Sequence, residues 1–412
     1  MSTVDPIGTG GPPQRRPRLA SIYGAPARPS CPSGPLDQFC PSGPSVRGFR
    51  RTMRRVKWAR SLVAVVATLT LAACDAAPTR PAGGPARSAS VAASPSQAGP
   101  AEITLAFAGD VHFADRTAGL LSNPATAFGS ISATLSSADL TMVNLETAVT
   151  TRGTPEPKEF HFRAPASTYG AVKAAGIDVV SIANNHTLDY GRVGLSDTLD
   201  AARASGVPAV GAGADAAAAY APWITEIRGT TVAFLAFSQV AELWSSWKAT
   251  DTEAGIAMTR DLSRAVAAVR AARQRADVIV VYVHWGVEGE SCPSAEAREF
   301  AGAMAEAGAH LVVGTHAHLL LGDGWLGRTF VQYGLGNFLW WRDDAYSNDT
   351  GVLRVTLHGS AIVKTEFVPA LISRRTGQPR LADGEEAARI SHEYANLRAC
   401  TGLATTPTGQ SR

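Results

Sequence analysis

The chain has 412 residues, of which 45% are hydrophobic and 18% are charged. This composition excludes a collagen, a coiled-coil rod and a wholly disordered chain, and it provides enough apolar material for a large core. Residues 1–60 contain eleven basic and two acidic residues, whereas residues 75–412 contain 27 basic and 33 acidic ones. The overall charge of +3 therefore reflects the N-terminal leader. The main body, with a net charge of −6, is not typical of a nucleic-acid-binding protein.

The leader has the pattern of an export signal. A basic segment, 53–60, precedes an uncharged run, 61–73, that is too short for an ordinary membrane-spanning helix of about 20 residues. The run ends in small residues followed by Cys74, which resembles the lipobox of bacterial lipoproteins. That resemblance implies acylation of Cys74 and anchoring at the extracytoplasmic face of the cell membrane. The alternative is an ordinary secretory signal with an incidental cysteine.

The segments around this signal have linker-like compositions. Residues 1–52 are rich in Pro, Gly, Ser and Arg without hydrophobic periodicity, so we interpret them as a disordered extension. Translation from Met53 would remove them, and a long cytoplasmic n-region is the alternative. Residues 75–100 have the composition of a flexible linker. An oxidising exterior permits a disulfide between Cys292 and Cys400, although two cysteines alone do not establish one.

Residues 101–372 alternate between strand and helix patterns, which predicts one α/β domain with covered sheets. The predicted strands are 103–108, 140–144, 177–183, 231–237, 278–284, 310–313, 329–333, 352–358 and 362–368. The predicted helices are 125–137, 166–175, 193–205, 261–275 and 293–307. Residues 373–412 are expected to form a C-terminal tail, with a short helix at 385–399 and a loose end at 401–412.

Polar residues recur directly after the predicted strands. The five clusters are Asp110-Val111-His112, Asn144-Leu145-Glu146, Asn184-Asn185-His186, His284-Trp285-Gly286 and His316-Ala317-His318. Each cluster alone is also compatible with a turn, a helix cap or a structural histidine. Because loops leaving parallel strands converge at one sheet edge, their recurrence predicts a shared polar site. Mixed imidazole and oxygen donors suit Mn, Fe or Zn.

Two spacings sharpen this prediction. In Asp110-x-His112 and His316-x-His318, alternate residues of an extended chain point the same way, so each pair is expected to reach one ion.

The order of these motifs is similar to that of calcineurin-like metallophosphoesterases, and more closely resembles the CapA family of bacterial poly-γ-glutamate capsule synthesis proteins. The resemblance covers about residues 103–368, and its most specific segment is Ala183-Asn184-Asn185-His186-Thr187-Leu188-Asp189-Tyr190-Gly191. It implies a metallophosphoesterase-type sandwich of two mixed β-sheets flanked by helices.

The sequence departs from the family pattern at three places. His112 stands where the family often has Met, and Thr315 and Ala317 replace the usual residues of the segment that contains His316 and His318. The bridging aspartate of the phosphoesterases has no plain equivalent, and Glu146 is its nearest candidate.

The resemblance implies roles for individual residues. One or two divalent ions would be held by Asp110, His112, Glu146, Asn185, His284, His316 and His318. Glu146 would bridge the ions or orient a water, and His186 would protonate the leaving group. Asn144 and Arg163 are expected to contact substrate, and a surface ion pair is the alternative for Arg163.

Two functions remain open at this point. The first is a lipid-anchored, metal-dependent hydrolase that acts on a phosphoester or on poly-γ-glutamate during capsule synthesis or export. The second is a non-catalytic component that binds this anionic polymer, or serves as a scaffold for membrane-embedded export partners. Family membership does not decide between them, because function depends on the site and not on the fold.

Overall fold

A computed structural model describes residues 101–240 and 242–409. The predicted extension, the signal with Cys74 and the linker lie outside the described residues, as do Ala241 and the last three residues. No helix within the described ranges is both long enough and apolar enough to cross a membrane.

The first sheet has eight strands in the order β18-β17-β16-β1-β2-β5-β6, and β15 pairs with the end of β1. Strands β1, β2, β5 and β6 are parallel, whereas β16, β17 and β18 run antiparallel to their neighbours. The strands are β1 (Glu102–Val111), β2 (Leu140–Leu145), β5 (Val179–Ser181), β6 (Ala209–Val210), β15 (Asn337–Leu339), β16 (Asp349–His358), β17 (Ala361–Ile372) and β18 (Pro379–Leu381).

The second sheet has six strands in the order β13-β14-β12-β11-β9-β8. Its four central strands are parallel, and both edge strands are antiparallel to their neighbours. The strands are β8 (Trp223–Ile227), β9 (Thr230–Ser238), β11 (Val278–His284), β12 (Leu311–Thr315), β13 (Asp323–Leu326) and β14 (Thr329–Gln332). Two small two-stranded sheets pair β3 (Ala148–Val149) with β4 (Arg163–Ala164), and β7 (Ala212–Gly213) with β10 (Gly255–Ile256).

The helices cover the outer faces of the two large sheets. They are α1 (Ser132–Leu135), α2 (Ser167–Ala174), α3 (Gly191–Ser205), α4 (Ala216–Ala219), α5 (Trp244–Trp247), α6 (Leu262–Arg273), α7 (Ala295–Ala307) and α8 (Gly384–Leu397). Helix α7 begins where the Ser294 hydroxyl accepts from the Ala297 amide and ends at Gly308, whose φ is 105°. Such a cap and left-handed end are the usual boundaries of a helix.

Three apolar layers hold the sandwich together. Between the sheets, Leu105 and Phe107 of the first sheet belong to the same buried cluster as Phe234 and Val280 of the second. Two further large clusters lie between each sheet and its helices, and two smaller ones surround Trp340 and Tyr394. The Tyr282 hydroxyl crosses the central layer and donates to the Ala108 carbonyl at 2.6 Å. The prediction of an α/β sandwich of two mixed sheets flanked by helices is confirmed.

Some local predictions were wrong. The helix expected at 125–137 is reduced to α1, because the preceding residues form short 3-10 turns and Gly129 adopts a φ of 63°. Edge strands β8, β13 and β18 were not predicted, since their residues are only partly buried and lack a continuous apolar run.

The C-terminal segment is packed rather than loose. Ala404 exchanges backbone hydrogen bonds with Trp325, and the Thr408 amide donates to the Gly327 carbonyl. Cys292 and Cys400 form a disulfide with an S–S distance of 2.10 Å, which resolves a pairing that the sequence left open. The expectation of a loose segment is therefore wrong for residues 401–408.

Candidate metal centre

Asp110 lies near the end of strand β1, where the pairing of this strand with β2 is irregular. The register with β2 shifts between Phe107 and Asp110, and the Asp110 amide donates to the Gly336 carbonyl at 2.9 Å. A Cβ atom on Gly109 would lie 1.9 Å from that carbonyl oxygen. Glycine is required here by the close approach of two backbones, and this approach turns the buried Asp110 carboxylate toward the second sheet.

Strand β2 ends beside it and contributes an amide and a carboxylate. The Asn144 side chain donates to Asp110 Oδ1 at 2.8 Å and accepts from Asn184 Nδ2 at 3.0 Å. Glu146 follows two residues later with its side chain fully buried. Its Oε1 atom has no hydrogen-bond partner among the described residues, which is costly for a buried carboxylate.

The loop after β5 supplies Asn185 and His186. The side-chain oxygen of Asn184, Oδ1, accepts from the His186 amide and from the Thr187 hydroxyl, both at 3.0 Å. This side chain therefore stabilises the conformation of the loop. His186 Nδ1 lies 2.7 Å from Asp189 Oδ2, and His186 Nε2 lies 3.8 Å from Glu146 Oε1. The Asp189 contact leaves Nε2 as the ring atom that faces the cluster.

The second sheet contributes three imidazoles. His284 ends β11, and its Nδ1 atom lies 3.0 Å from the Thr315 hydroxyl. His316 and His318 follow β12 with φ angles of 92° and 57°, which are unusual for non-glycine residues and occur most often at functional sites. The two rings therefore come together through left-handed backbone, and not through the extended chain on which the sequence argument relied.

The ligand atoms of both sheets converge at one place. His284 Nε2 lies 2.8 Å from Asn185 Oδ1, 3.1 Å from His316 Nδ1 and 3.6 Å from Glu146 Oε1. Two groups have ligand atoms within 4.8 Å of one another, namely Asp110 with Glu146 and His284, and Glu146 with His316 and His318. Glu146 belongs to both groups, as a bridging ligand would.

Electrostatics favours a cation at this place. Burial, reinforced by the Asp110 charge, raises the pKa of Glu146 well above its usual value. Burial lowers the pKa values of His284 and His316, and neighbouring imidazoles lower them further, so both rings are neutral at pH 7. Neutral imidazoles and an unpartnered buried carboxylate oxygen form a donor set that fits a borderline divalent ion.

His112 lies among aromatic rings beside the converging ligand atoms, and its predicted role as a ligand stays a prediction. Its ring lies 4.1 Å from the Phe162 ring and 4.3 Å from the Trp340 ring, between centroids, and both of its nitrogens lack hydrogen-bond partners within the described ranges. Phe162 stacks on His186 and Trp340 packs on His318, so the five rings form an aromatic wall along the site. His112 is in neither group of converging ligand atoms.

Of the two predicted substrate contacts, Asn144 lies against the ligand groups, 2.8 Å from Asp110 Oδ1 and 3.2 Å from His284 Nδ1, whereas Arg163 lies apart from them. Asn144 is fully buried and its amide is engaged by Asp110 and Asn184, so its position suits the ordering of ligands. The Arg163 guanidinium lies 3.3 Å from the centroid of the Tyr190 ring and donates to the Arg152 carbonyl at 3.1 Å. Within residues 101–240 and 242–409 it forms neither the surface ion pair considered from the sequence nor a contact with the converging ligands.

Sequence reasoning missed several residues that shape the site. Lys158 is nearly buried and lies 2.9 Å from Asp189 Oδ1, and Asn337 Oδ1 lies 2.8 Å from His318 Nδ1. Asp189 and Asn184 stood inside the quoted motif without an assigned role. Lys158 lies in a loop with no periodicity, so no sequence signal identified it.

The family described as bacterial capsule synthesis protein PGA_cap matches residues 104–340, which is more than half of the chain. The chain belongs to this family, as the motif order indicated. The match contains all residues of the two ligand groups and ends at Trp340 of the aromatic wall.

Curated relatives carry names from the same field. The chain is 30% identical over 224 residues to the capsule biosynthesis protein CapA of Bacillus anthracis, covering 54% of each chain. It is 29% identical over 239 residues to the PGA biosynthesis protein CapA of Bacillus subtilis, covering 57% of this chain and 62% of that one. The chain thus spans little more than half the length of these relatives.

Solved structures resemble this chain more distantly. A phosphatase from Mycoplasma pneumoniae is 14% identical, with a TM-score of 0.41 and coverage of 66% of this chain and 94% of that one. The NAD nucleotidase of Haemophilus influenzae is 12% identical, with a TM-score of 0.41 and coverage of 76% and 58%. Resemblances this distant carry no inference about chemistry.

Proposed function

We propose that this chain is a metal-dependent, phosphoesterase-like hydrolase of poly-γ-glutamate capsule synthesis or export, anchored by Cys74 at the extracytoplasmic face of the membrane. The observation that carries the hydrolase proposal is the convergence of Asn185 Oδ1, His316 Nδ1 and the unpartnered Glu146 Oε1 around His284 Nε2. A divalent cation among these donor atoms would pair with the buried Glu146 carboxylate.

The converging residues would hold Mn, Fe or Zn. Asp110, Glu146 and His284 provide one ligand group, and Glu146, His316 and His318 provide the other, with Asn185 beside the first. Such an ion supplies Lewis-acid polarisation of a phosphoryl or carbonyl oxygen and activation of water. The specific ion and the number of ions belong to the proposal.

His186 is the residue that would move a proton. Burial lowers its pKa well below the usual value, and the Lys158 charge lowers it further, so the ring is neutral at pH 7. With Nδ1 donating to Asp189, the lone pair of Nε2 is free to accept a proton from the attacking water. The proton can then be returned to a leaving oxygen.

The role in the capsule rests on the relatives. The names of the two Bacillus proteins support a place in polymer synthesis for this chain. Binding of a polyanionic substrate would require a cation in the site. The partly exposed carboxylates of Glu242, near Lys158, and Glu288, near His318, add negative charge beside it.

A non-catalytic polymer-binding or scaffold role is the second candidate, and the burial of the site favours it. Asp110, Glu146 and His284 are fully buried, and the His318 side chain is only 19% exposed. A metal so enclosed would be structural, and binding partners would then contact another surface of the molecule.

The deciding experiment measures metal content and turnover together. The purified protein is loaded with Mn²⁺ and tested on bis-p-nitrophenyl phosphate, alongside Asp110→Ala, His186→Ala and the exposed-site control His392→Ala. We expect Asp110→Ala to lose both metal and turnover and His186→Ala to lose turnover with metal retained. A metal-bound wild type without turnover that restores capsule export in a deletion strain would establish the scaffold instead.

The anchoring proposal has its own test. Cys74→Ser is expected to move the protein from the membrane fraction to the culture medium, because the acyl chain would be lost. Fractionation of cells that express either form measures this. Equal membrane association of both forms would indicate a retained hydrophobic segment, and release of both forms to the medium would indicate a simple secretory signal.

A further inference from the structure

A buried lysine lies directly behind the proposed metal centre, and neither the motifs nor the proposed chemistry uses it. The Lys158 side chain is only 2% exposed, in a loop that precedes β4. Its ammonium lies 2.9 Å from Asp189 Oδ1 and also donates to the backbone carbonyl of Asn185. Burying an ammonium is costly unless it is closely paired, so this placement calls for an explanation.

The two inner partners of Lys158 are connected to the two sides of the site. Asp189 Oδ2 accepts from His186 Nδ1 at 2.7 Å and from the Phe162 amide at 2.6 Å. Asn185 points its side-chain oxygen at His284 Nε2, 2.8 Å away. One ammonium therefore contacts both the residue that orients His186 and the backbone of a proposed ligand, and it also lies 3.5 Å from His186 Nδ1 itself.

The remaining surroundings of the ammonium exclude water from it. The Trp247 ring lies 5.1 Å from Lys158 Nζ, which is within the range of a cation–π contact. The carboxylate of Glu242 lies 3.2 Å away on the outer side, with its side chain 40% exposed. The inner contacts are thus shielded, whereas the partly exposed Glu242 carboxylate meets the ammonium from the solvent side.

We propose that Lys158 is a positioning residue of the metal centre, which holds the Asn185 backbone and the Asp189 carboxylate so that the amide of Asn185 and the ring of His186 face the reacting groups. The inference rests on the proposed hydrolase function for its catalytic consequence, but its structural consequence is independent of turnover. Residues that orient metal ligands and proton-transfer groups typically change metal affinity or activity by about 10- to 100-fold when removed.

The experiment compares Lys158→Met and Lys158→Gln with two controls. Lys173→Met removes an exposed lysine on α2, and Lys364→Met removes an exposed lysine on β17. Both charge-removing Lys158 variants are expected to lower turnover of bis-p-nitrophenyl phosphate by about 10- to 100-fold, with a KM change below about threefold. Mn²⁺ affinity, measured by calorimetry, should also fall in the Lys158 variants. The turnover and the Mn²⁺ affinity of both controls should stay within about twofold of wild type.

A second readout separates positioning from a purely structural role. In ¹⁵N-labelled protein, the ring nitrogens of His186 should report a proton on Nδ1 in wild type and a mixture of tautomers in the Lys158 variants. Lys158→Gln serves if Lys158→Met does not fold, since its amide can still donate to the Asn185 carbonyl. A folded Lys158 variant with wild-type turnover, Mn²⁺ affinity and His186 tautomer would overturn the proposal. If wild type itself shows no turnover, the hydrolase proposal fails, and the Mn²⁺ affinity and the His186 spectrum alone decide about Lys158.

Discussion

At the scale of single residues, the energetics of the site are dominated by carboxylates that are buried without a cationic partner close by. Glu146 is fully buried, its Oε1 atom lacks a hydrogen bond, and Asp110 adds a second negative charge in the same cluster. In proteins, such groups are normally protonated, paired or bound to metal. Loss of the Glu146 carboxylate should therefore raise the stability of the metal-free protein and lower its affinity for metal.

Glu146→Gln should stabilise the chelator-treated protein and weaken its response to metal. Removing the buried charge is expected to raise the free energy of unfolding in EDTA by about 1–2 kcal/mol. Wild type should gain stability when Mn²⁺ is added, by mass action, and the variant should gain much less. Urea unfolding with EDTA and with Mn²⁺ measures both effects. Glu306→Gln, exposed on helix α7, serves as the control, and equal Mn²⁺ responses of wild type and Glu146→Gln would contradict the prediction.

A histidine at the opposite end of β12 governs a different pH response. His310 Nδ1 accepts from the Ile279 amide at 3.0 Å, and burial together with the charges of Arg273 and Arg328 lowers its pKa to about 4. The native state favours the neutral ring, so its contribution is complete above pH 6.5. It is lost as pH falls from 6.5 toward 4, because only the unfolded chain takes up a proton there.

His310→Asn should therefore reduce the acid sensitivity of the fold. The amide oxygen of Asn can replace Nδ1 as acceptor but does not titrate. We expect wild type to lose about 2 kcal/mol more than the variant between pH 7 and pH 4, a value below the full shift because the ring is partly exposed. Urea midpoints at both pH values provide the measurement, with exposed His392→Asn as the matched control. Parallel pH profiles for wild type and His310→Asn would refute this assignment.

At the scale of elements, the irregularity at the end of β1 decides where Asp110 lies. The strand pairs with β2 and β16 along its regular part and then with β15 beyond the register shift. The close approach of Gly109 to the Gly336 carbonyl makes this arrangement possible. A side chain at 109 would push apart β1 and the loop before β15.

Gly109→Ala is accordingly expected to destabilise the protein by about 2–4 kcal/mol and to lower Mn²⁺ affinity, since the Asp110 carboxylate would shift. Gly302→Ala is the matched control, because a Cβ at this position in helix α7 meets no atom within 4 Å. That control should gain up to about 1 kcal/mol from helix propensity. Thermal unfolding and Mn²⁺ titration of both variants test the pair, and an unaffected Gly109→Ala would show that the two strands can separate freely.

At the scale of the whole molecule, the disulfide joins segments that are 108 residues apart in sequence. Cys292 lies in the loop that follows the His284 cluster, and Cys400 follows helix α8. Arg298 supports the same junction by donating to the carbonyls of Cys400 and Thr401, both at 2.7 Å. The C-terminal segment is thereby attached to the second sheet.

Cys292→Ser should lower the free energy of unfolding by about 3–5 kcal/mol, because opening a loop of this length enlarges the entropy of the unfolded chain. Urea unfolding of the oxidised protein gives the value. Dithiothreitol should reproduce the shift in wild type and leave Cys292→Ser unchanged. A reductant effect of equal size in both proteins would show that this disulfide is not the source.

Much of this organisation could be predicted from the sequence because it is encoded locally. The apolar run of β11 was placed residue for residue, and α6 and α7 were placed within two residues at either end. The polar clusters after the strands were recognised for the same reason, since parallel strands in covered sheets deliver their following residues to a common edge. The family assignment followed from the order of these clusters.

The tertiary structure decided what those residues contact. The sequence placed Asp110, Glu146, His284, His316 and His318 at strand ends, and only the packing of two sheets brings their ligand atoms together. His112 matched a ligand motif, yet its ring packs against Phe162 and Trp340 in the aromatic wall. Lys158 had no motif at all, because its position follows from contacts with residues far along the chain. Strand and helix periods are local properties of the backbone, whereas the direction of a side chain in a site depends on long-range packing.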